Sequence, residues 1–145
     1  MKKIIYVLLV SVFIFNCNTS KNSASKKDER LENLKQNDTV KIVNEEIEYE
    51  IIIIEPGFNF WLVSRARPRQ YYSQQYLENR NLIYVIEWNQ RVLQPQRFDT
   101  NLYEMQIDYR QGIDYGYEVN YLLYNYFIYF QMTYNQRLGS FVPRI

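Results

Sequence analysis

Hydrophobic and polar positions change rhythm several times along this chain, and each rhythm predicts an element. In EIEYEIIIIEPG, Glu46, Glu48 and Glu50 alternate with Ile47, Tyr49 and Ile51 before Ile52, Ile53 and Ile54 complete an apolar run. Alternation hardening into a β-branched run predicts a strand over about 47–55 that passes from half-buried to fully buried. Pro56-Gly57 ends it. Phe58, Trp61 and Leu62 recur at helical spacing and predict a short helix that stops before Pro68. Ser73 suits the N-cap of a longer helix whose inner face would hold Leu77, Asn81, Tyr84, Val85, Trp88 and Val92. The strand-forming residues of Leu82–Trp88 leave a strand there as an alternative. In LYEMQIDYR, Tyr103, Met105, Ile107 and Tyr109 alternate with Glu104, Gln106, Asp108 and Arg110, predicting a one-sided strand over about 102–110. Residues of about 117–137 carry a helical stripe of Val119, Leu122, Leu123, Tyr126, Phe127 and Phe130. Tyr121, Tyr124, Ile128 and Tyr129 make the opposite side apolar as well, so this helix should be buried on most sides, with Leu123 and Phe127 in the core. Asp114 could cap its start and Gly139 its end. The expected domain is α+β: short strands at about 47–55 and 102–110 packed with three helices, the C-terminal helix central.

The opening of the chain follows a different rule. Met1-Lys2-Lys3 precedes a nearly unbroken apolar segment, Ile4–Phe15, and Cys17 follows after Asn16. Such a segment covers about 18 Å as a helix, well short of the roughly 30 Å hydrocarbon core, so a signal peptide fits and a membrane span does not. The reading that fits Cys17 best is a bacterial lipoprotein signal over residues 1–16, with Cys17 becoming the lipid-bearing first mature residue. Asn16 departs from the small residue usual before that cysteine. The alternative is a secreted protein cut near Ser23-Ala24-Ser25. Lipid chains contribute about 0.8 kcal/mol per buried methylene, so several long chains make a lasting anchor. Residues 18–39 hold no aromatic side chain and read as a disordered tether, spanning about 26 Å as a coil. Bacteroidota-type lipoproteins sent to the cell surface resemble one another in carrying acidic residues right after the cysteine, whereas here the first acids are Asp28 and Glu29. Set against that resemblance, the chain is expected to be an outer-membrane protein facing the periplasm.

Residues 40–145 read as a single globular domain. Two of the 17 Lys and Arg lie in the signal and five in the tether, leaving ten in the domain against twelve acids, a balance of minus two. That offers no field for nucleic acid. The domain has neither histidine nor cysteine, which excludes histidine-based triads and zinc sites and implies no cofactor. Nucleotide-binding and nucleophile-elbow patterns are absent from the sequence as well. What remains for catalysis is a carboxylate pair drawn from Glu55, Asp108, Asp114 and Glu118. Each has a plainer role as a solvated acid, a helix cap or a partner of the helix dipole. The expectation is no enzyme.

The segments EIEYEIIIIEPGFNFWL, RPRQYYSQQYLENRN, EWNQRVL and DYGYEVNYLLYNYF, in this order, resemble an uncharacterised family of short Bacteroidota envelope lipoproteins, a domain of unknown function covering about residues 38–138. The resemblance implies an envelope lipoprotein and carries no activity or site residue with it.

A binding module is the stronger class of answer. Fourteen of the 15 tyrosines lie in the domain, with Trp61, Trp88 and nine arginines. These side chains join apolar area to a polar tip and are enriched at interfaces, although most of the tyrosines should be core. In RARPRQYY, Arg65, Arg67 and Arg69 surround Pro68 and run into Tyr71 and Tyr72. Such a turn suits an anionic partner, and its plainer reading is a solvated loop whose arginines pair with neighbouring acids. The expected partner is another envelope protein, with a glycan or peptidoglycan bound on Tyr/Trp platforms as the alternative.

Overall fold

A computed structural model describes residues 39–45 and 48–145. The signal segment, Cys17 and nearly all of the tether lie outside the described residues, as does Ile47 in the expected first strand. The domain is α+β. Strand β1 (Thr39–Asn44) pairs antiparallel with β2 (Tyr49–Ile54), with Thr39 opposite Ile54 and Asn44 opposite Tyr49. Helices α1 (Phe58–Ser64), α2 (Gln74–Val92) and α3 (Gly116–Thr133) follow, and α3 touches β1, α1 and α2. The C-terminal helix is thus central, as its two apolar sides require. Among the described residues no helix is long and apolar enough to cross a membrane.

The strand that pairs with β2 is β1, and residues 102–110 form no ladder. At Met105 and Ile107 their backbone is held by side chains of α2 instead. The Trp88 indole donates to the Met105 carbonyl at 2.9 Å, and the Asn89 amide brackets Ile107, donating to its carbonyl at 2.9 Å and accepting from its N–H at 2.8 Å. The alternation there is real, with Tyr103 and Tyr109 buried and Ile107 half-buried, but it serves a segment lying along a helix. Met105 breaks it, 74% exposed.

β2 keeps alternating to its end. Ile53 is buried while Ile52 and Ile54 are 55% and 72% exposed. The expected full burial fails because a two-stranded sheet carries helices on one face only. Gly57 then turns the chain at φ 79°, where a Cβ would come within 3.3 Å of the Tyr129 hydroxyl oxygen, so the turn needs glycine twice over.

Helix α2 starts where expected, with the Ser73 hydroxyl accepting from the Tyr76 N–H at 3.2 Å, and its inner face buries Leu77, Asn81, Tyr84, Val85 and Trp88. The strand alternative over 82–88 is thereby set aside. That face meets α3 through rings, Tyr84 with Phe127 at 5.5 Å and Trp88 with Phe130 at 4.8 Å. The buried amides are engaged apart from the Asn81 oxygen: Asn81 donates to the Asn120 carbonyl at 3.0 Å, Asn120 accepts from the Tyr109 hydroxyl at 2.7 Å, and Gln131 accepts the Leu138 N–H at 2.7 Å. Asp114 does accept the Gly116 N–H at 2.9 Å. The far end differs. Asn135, at φ 50°, lets the Gln136 N–H return to the Gln131 carbonyl at 3.0 Å, so the helix closes four residues earlier than 137 and on asparagine instead of Gly139. Gly139 is needed elsewhere, against Ile83, which a Cβ would approach to 3.1 Å.

Candidate functional site

Between β2 and the segment 101–108 lies a groove of about 510 Å³. Its floor is apolar, formed by Ile51, Ile53, Trp88, Tyr126 and Phe130, because these side chains face α3 and the tip of α2. Its rim is polar on both sides and acidic, with Glu55, Glu104 and Asp108, and no basic side chain is among the described lining residues. β1 occupies one edge of β2, and among the described residues no third strand covers the other. The Tyr49 hydroxyl, at the inner end, is buried without a hydrogen-bond partner, and burial pushes its phenol well up from the ordinary range. A buried hydroxyl of that kind is uncommon and marks a place where an acceptor would be welcome.

Each carboxylate weighed as a catalytic candidate already has an identifiable neighbour. Glu55 accepts from the Tyr134 hydroxyl at 2.6 Å, and that hydrogen bond, followed by burial, pushes the Tyr134 phenol up to about 12. Asp108 takes both arms of Arg110, at 2.8 and 3.0 Å. Asp114 accepts the Gly116 N–H just ahead of α3, whose N-cap position is Tyr115, and accepts from Gln74 at 2.6 Å. Glu118 is held by Arg69. Only Glu55 and Asp108 of the four share the groove. No group of three or more potential metal ligands occurs among the described residues.

The arginine turn is docked on the molecule. Arg69 makes a bidentate pair with Glu118, Nε to Oε2 at 2.8 Å, and lies over the Tyr121 ring at 4.7 Å; the Glu118 bond comes first among the causes that raise its already high pKa. Arg67 stands over the Tyr71 ring at 5.0 Å and donates to the Ile145 carbonyl at 3.0 Å. Tyr72 stacks on Tyr76 at 4.6 Å. The backbone of the turn is held too, with the Arg67 carbonyl accepting from the Tyr121 hydroxyl at 2.7 Å and the Gln70 N–H donating to Tyr117 at 2.6 Å. Arg65 and Tyr71 point outward, Tyr71 being 56% exposed. The five candidate residues therefore come together, on the α3 side and away from the groove lining.

A family model, described as a family of unknown function (DUF6146), matches residues 5–142. The chain belongs to that DUF6146 family. The match reaches further toward the N-terminus than residue 38 and takes in most of the apolar opening, Cys17 and the tether. No curated protein and no solved structure matches the chain.

The groove residues Tyr49, Glu104, Met105 and Ile107 were not singled out from the sequence as a site. The signal available was the strict alternation of 103–110, which marks an extended segment but not what it lies beside.

Proposed function

We propose that this chain is a lipid-anchored envelope protein, of the Bacteroidota lipoprotein kind, whose non-catalytic domain binds an extended segment of a partner protein in the groove beside β2. The observation that carries this is the groove itself: a strand edge without a described neighbour, an apolar floor and an acidic rim. An incoming strand would pair with β2 and place alternate side chains into the floor. The rim favours a partner segment with Lys or Arg at its outward positions. Support for protein over glycan comes from exposure, since the tryptophans and most tyrosines are spent on the core, whereas Ile52, Ile54 and Met105 offer exposed apolar area about the groove. Support for the anchor is Cys17 one residue beyond the apolar segment, inside the range that the family matches.

The test uses the full chain with a short alternating Lys/Val peptide and its Asp/Val counterpart, read by fluorescence anisotropy, and cell fractionation of wild type against Cys17→Ser. The Lys/Val peptide should bind, weaken about tenfold with Glu104→Lys, and weaken as salt rises. Cys17→Ser should shift the protein from the membrane to the soluble fraction. Equal binding of the two peptides would defeat the groove reading, and retention of the serine variant in the membrane would defeat the anchor.

A further inference from the structure

Tyr76, Arg80 and Tyr84 stand four residues apart on α2 and so share one side of it. Facing them are Tyr124 of α3, Tyr72 and the tail after Gly139, and together they close a cavity of about 420 Å³. That is room within the roughly 300–1,000 Å³ of small-ligand sites. Among its described lining residues are two guanidinium groups, Arg80 and Arg144, and no acid.

Arg80 is the unusual member. Its guanidinium carbon lies 5.1 Å from the Tyr76 ring centre and 3.3 Å from that of Phe141, so the group is stacked on rings. A stacked guanidinium still needs acceptors in its own plane. Yet Nη1 is buried with no hydrogen-bond partner, and among the described residues no carboxylate pairs with Arg80, whereas Arg69, Arg91 and Arg110 each have one. Arg80 is only partly buried, but a buried donor left without an acceptor costs stability unless something supplies one.

We infer that this cavity is a binding site for a small organic carboxylate carrying an aromatic or aliphatic body. The planar carboxylate matches the guanidinium fork. One shielded positive charge suits a monoanion better than a phosphate near minus two, since Arg144 is exposed at the mouth. The Tyr124 phenol remains neutral, because burial, with Tyr72 and Tyr76 adding to it, pushes it up. Ile128 and Val142 supply apolar wall for the ligand's body. The tail forms one side. It is pinned by Arg137 donating to the Ser140 carbonyl at 2.6 Å and Arg67 donating to the Ile145 carbonyl at 3.0 Å, with Phe141 between them. A small displacement of the Phe141 ring gives the carboxylate access to Nη1. This site is separate from the groove and does not depend on it.

The experiment titrates the full chain with phenylacetate, its neutral analogue phenylacetamide and inorganic phosphate, following the arginine side-chain N–H signals and the amides of residues 140–144 by NMR. Phenylacetate should bind saturably with its largest shifts at Arg80, and phenylacetamide at least about tenfold more weakly. Arg80→Lys, which keeps the charge and loses the fork, should weaken phenylacetate by about tenfold. Acid and amide binding alike would reduce the cavity to an apolar hole. Phosphate displacing phenylacetate at equal concentration would make it a general anion site, and no saturable shift at Arg80 would remove the site. The comparison of acid with amide needs no variant, so it decides even if Arg80→Lys does not fold.

Discussion

The two sides of α2 are built from similar residues and packed to different ends. Toward α3, aromatic rings meet directly, Tyr84 with Phe127 and Trp88 with Phe130. Toward β2, the same helix reaches only the extended segment 102–110, which it holds by Trp88 and Asn89 side chains, and a groove remains. A helix against a helix can interdigitate along its whole length. A helix against an irregular segment holds it at points, and the space between points stays open. Function is therefore better sought where the ring packing stops and leaves space.

The largest effect should come from breaking the dry side. Leu123 and Phe127 are both fully buried, and cutting either to alanine should cost about 2–5 kcal/mol, measured by denaturant unfolding. A loss under about 1 kcal/mol at both would mean that α3 does not carry the core.

The wet side should break more gently and locally. Asn89→Ala removes both bonds to Ile107 and leaves its half-buried N–H unsatisfied, while the Ile107 carbonyl keeps the Tyr109 N–H at 3.1 Å, costing about 1–3 kcal/mol. Hydrogen exchange should rise over 104–110 and stay unchanged in α3. If protection fell equally in both, the two sides would be one cooperative unit and the contrast between them would be wrong.

The same contrast explains what could be read from the sequence. The dry side was legible because a helix repeats its burial every three or four residues, so the inner face of α2 and the two-sided burial of α3 show in the letters. The segment 102–110 showed its alternation but not its partner, since period two is shared by strands and by any extended chain with one side covered. β1 was missed because TVKIVN is short and follows a polar stretch. At the candidate site, the carboxylates' partners come from elsewhere in the chain: Glu118 meets Arg69, and Glu55 meets Tyr134, each across a long sequence separation that no local pattern encodes. The Tyr76, Arg80 and Tyr84 stripe was visible as spacing. Its unpartnered guanidinium nitrogen depends on Phe141 arriving from the tail.

The smallest expected effect concerns the arginine turn, which sits on the tightly packed side yet is held by exposed groups. Arg69 and Glu118 have side chains 54% and 52% exposed, so water screens their pair and its contribution should be below about 1 kcal/mol despite the bidentate geometry. The Tyr121 hydroxyl bond to the Arg67 carbonyl is better shielded, and Tyr121→Phe should cost about 0.5–1.5 kcal/mol. The order of effects matters more than either size. If Tyr121→Phe loosens the turn and Arg69→Lys hardly does, with exchange of the Gln70 amide as the local measure, phenols from the core seat the turn. Arg65 and Tyr71 are then its outward-facing members, free to meet a partner without undoing the fold. If Arg69→Lys has the larger effect, the turn is held by its own ion pair, and engaging an anionic partner through Arg69 would first have to break that pair.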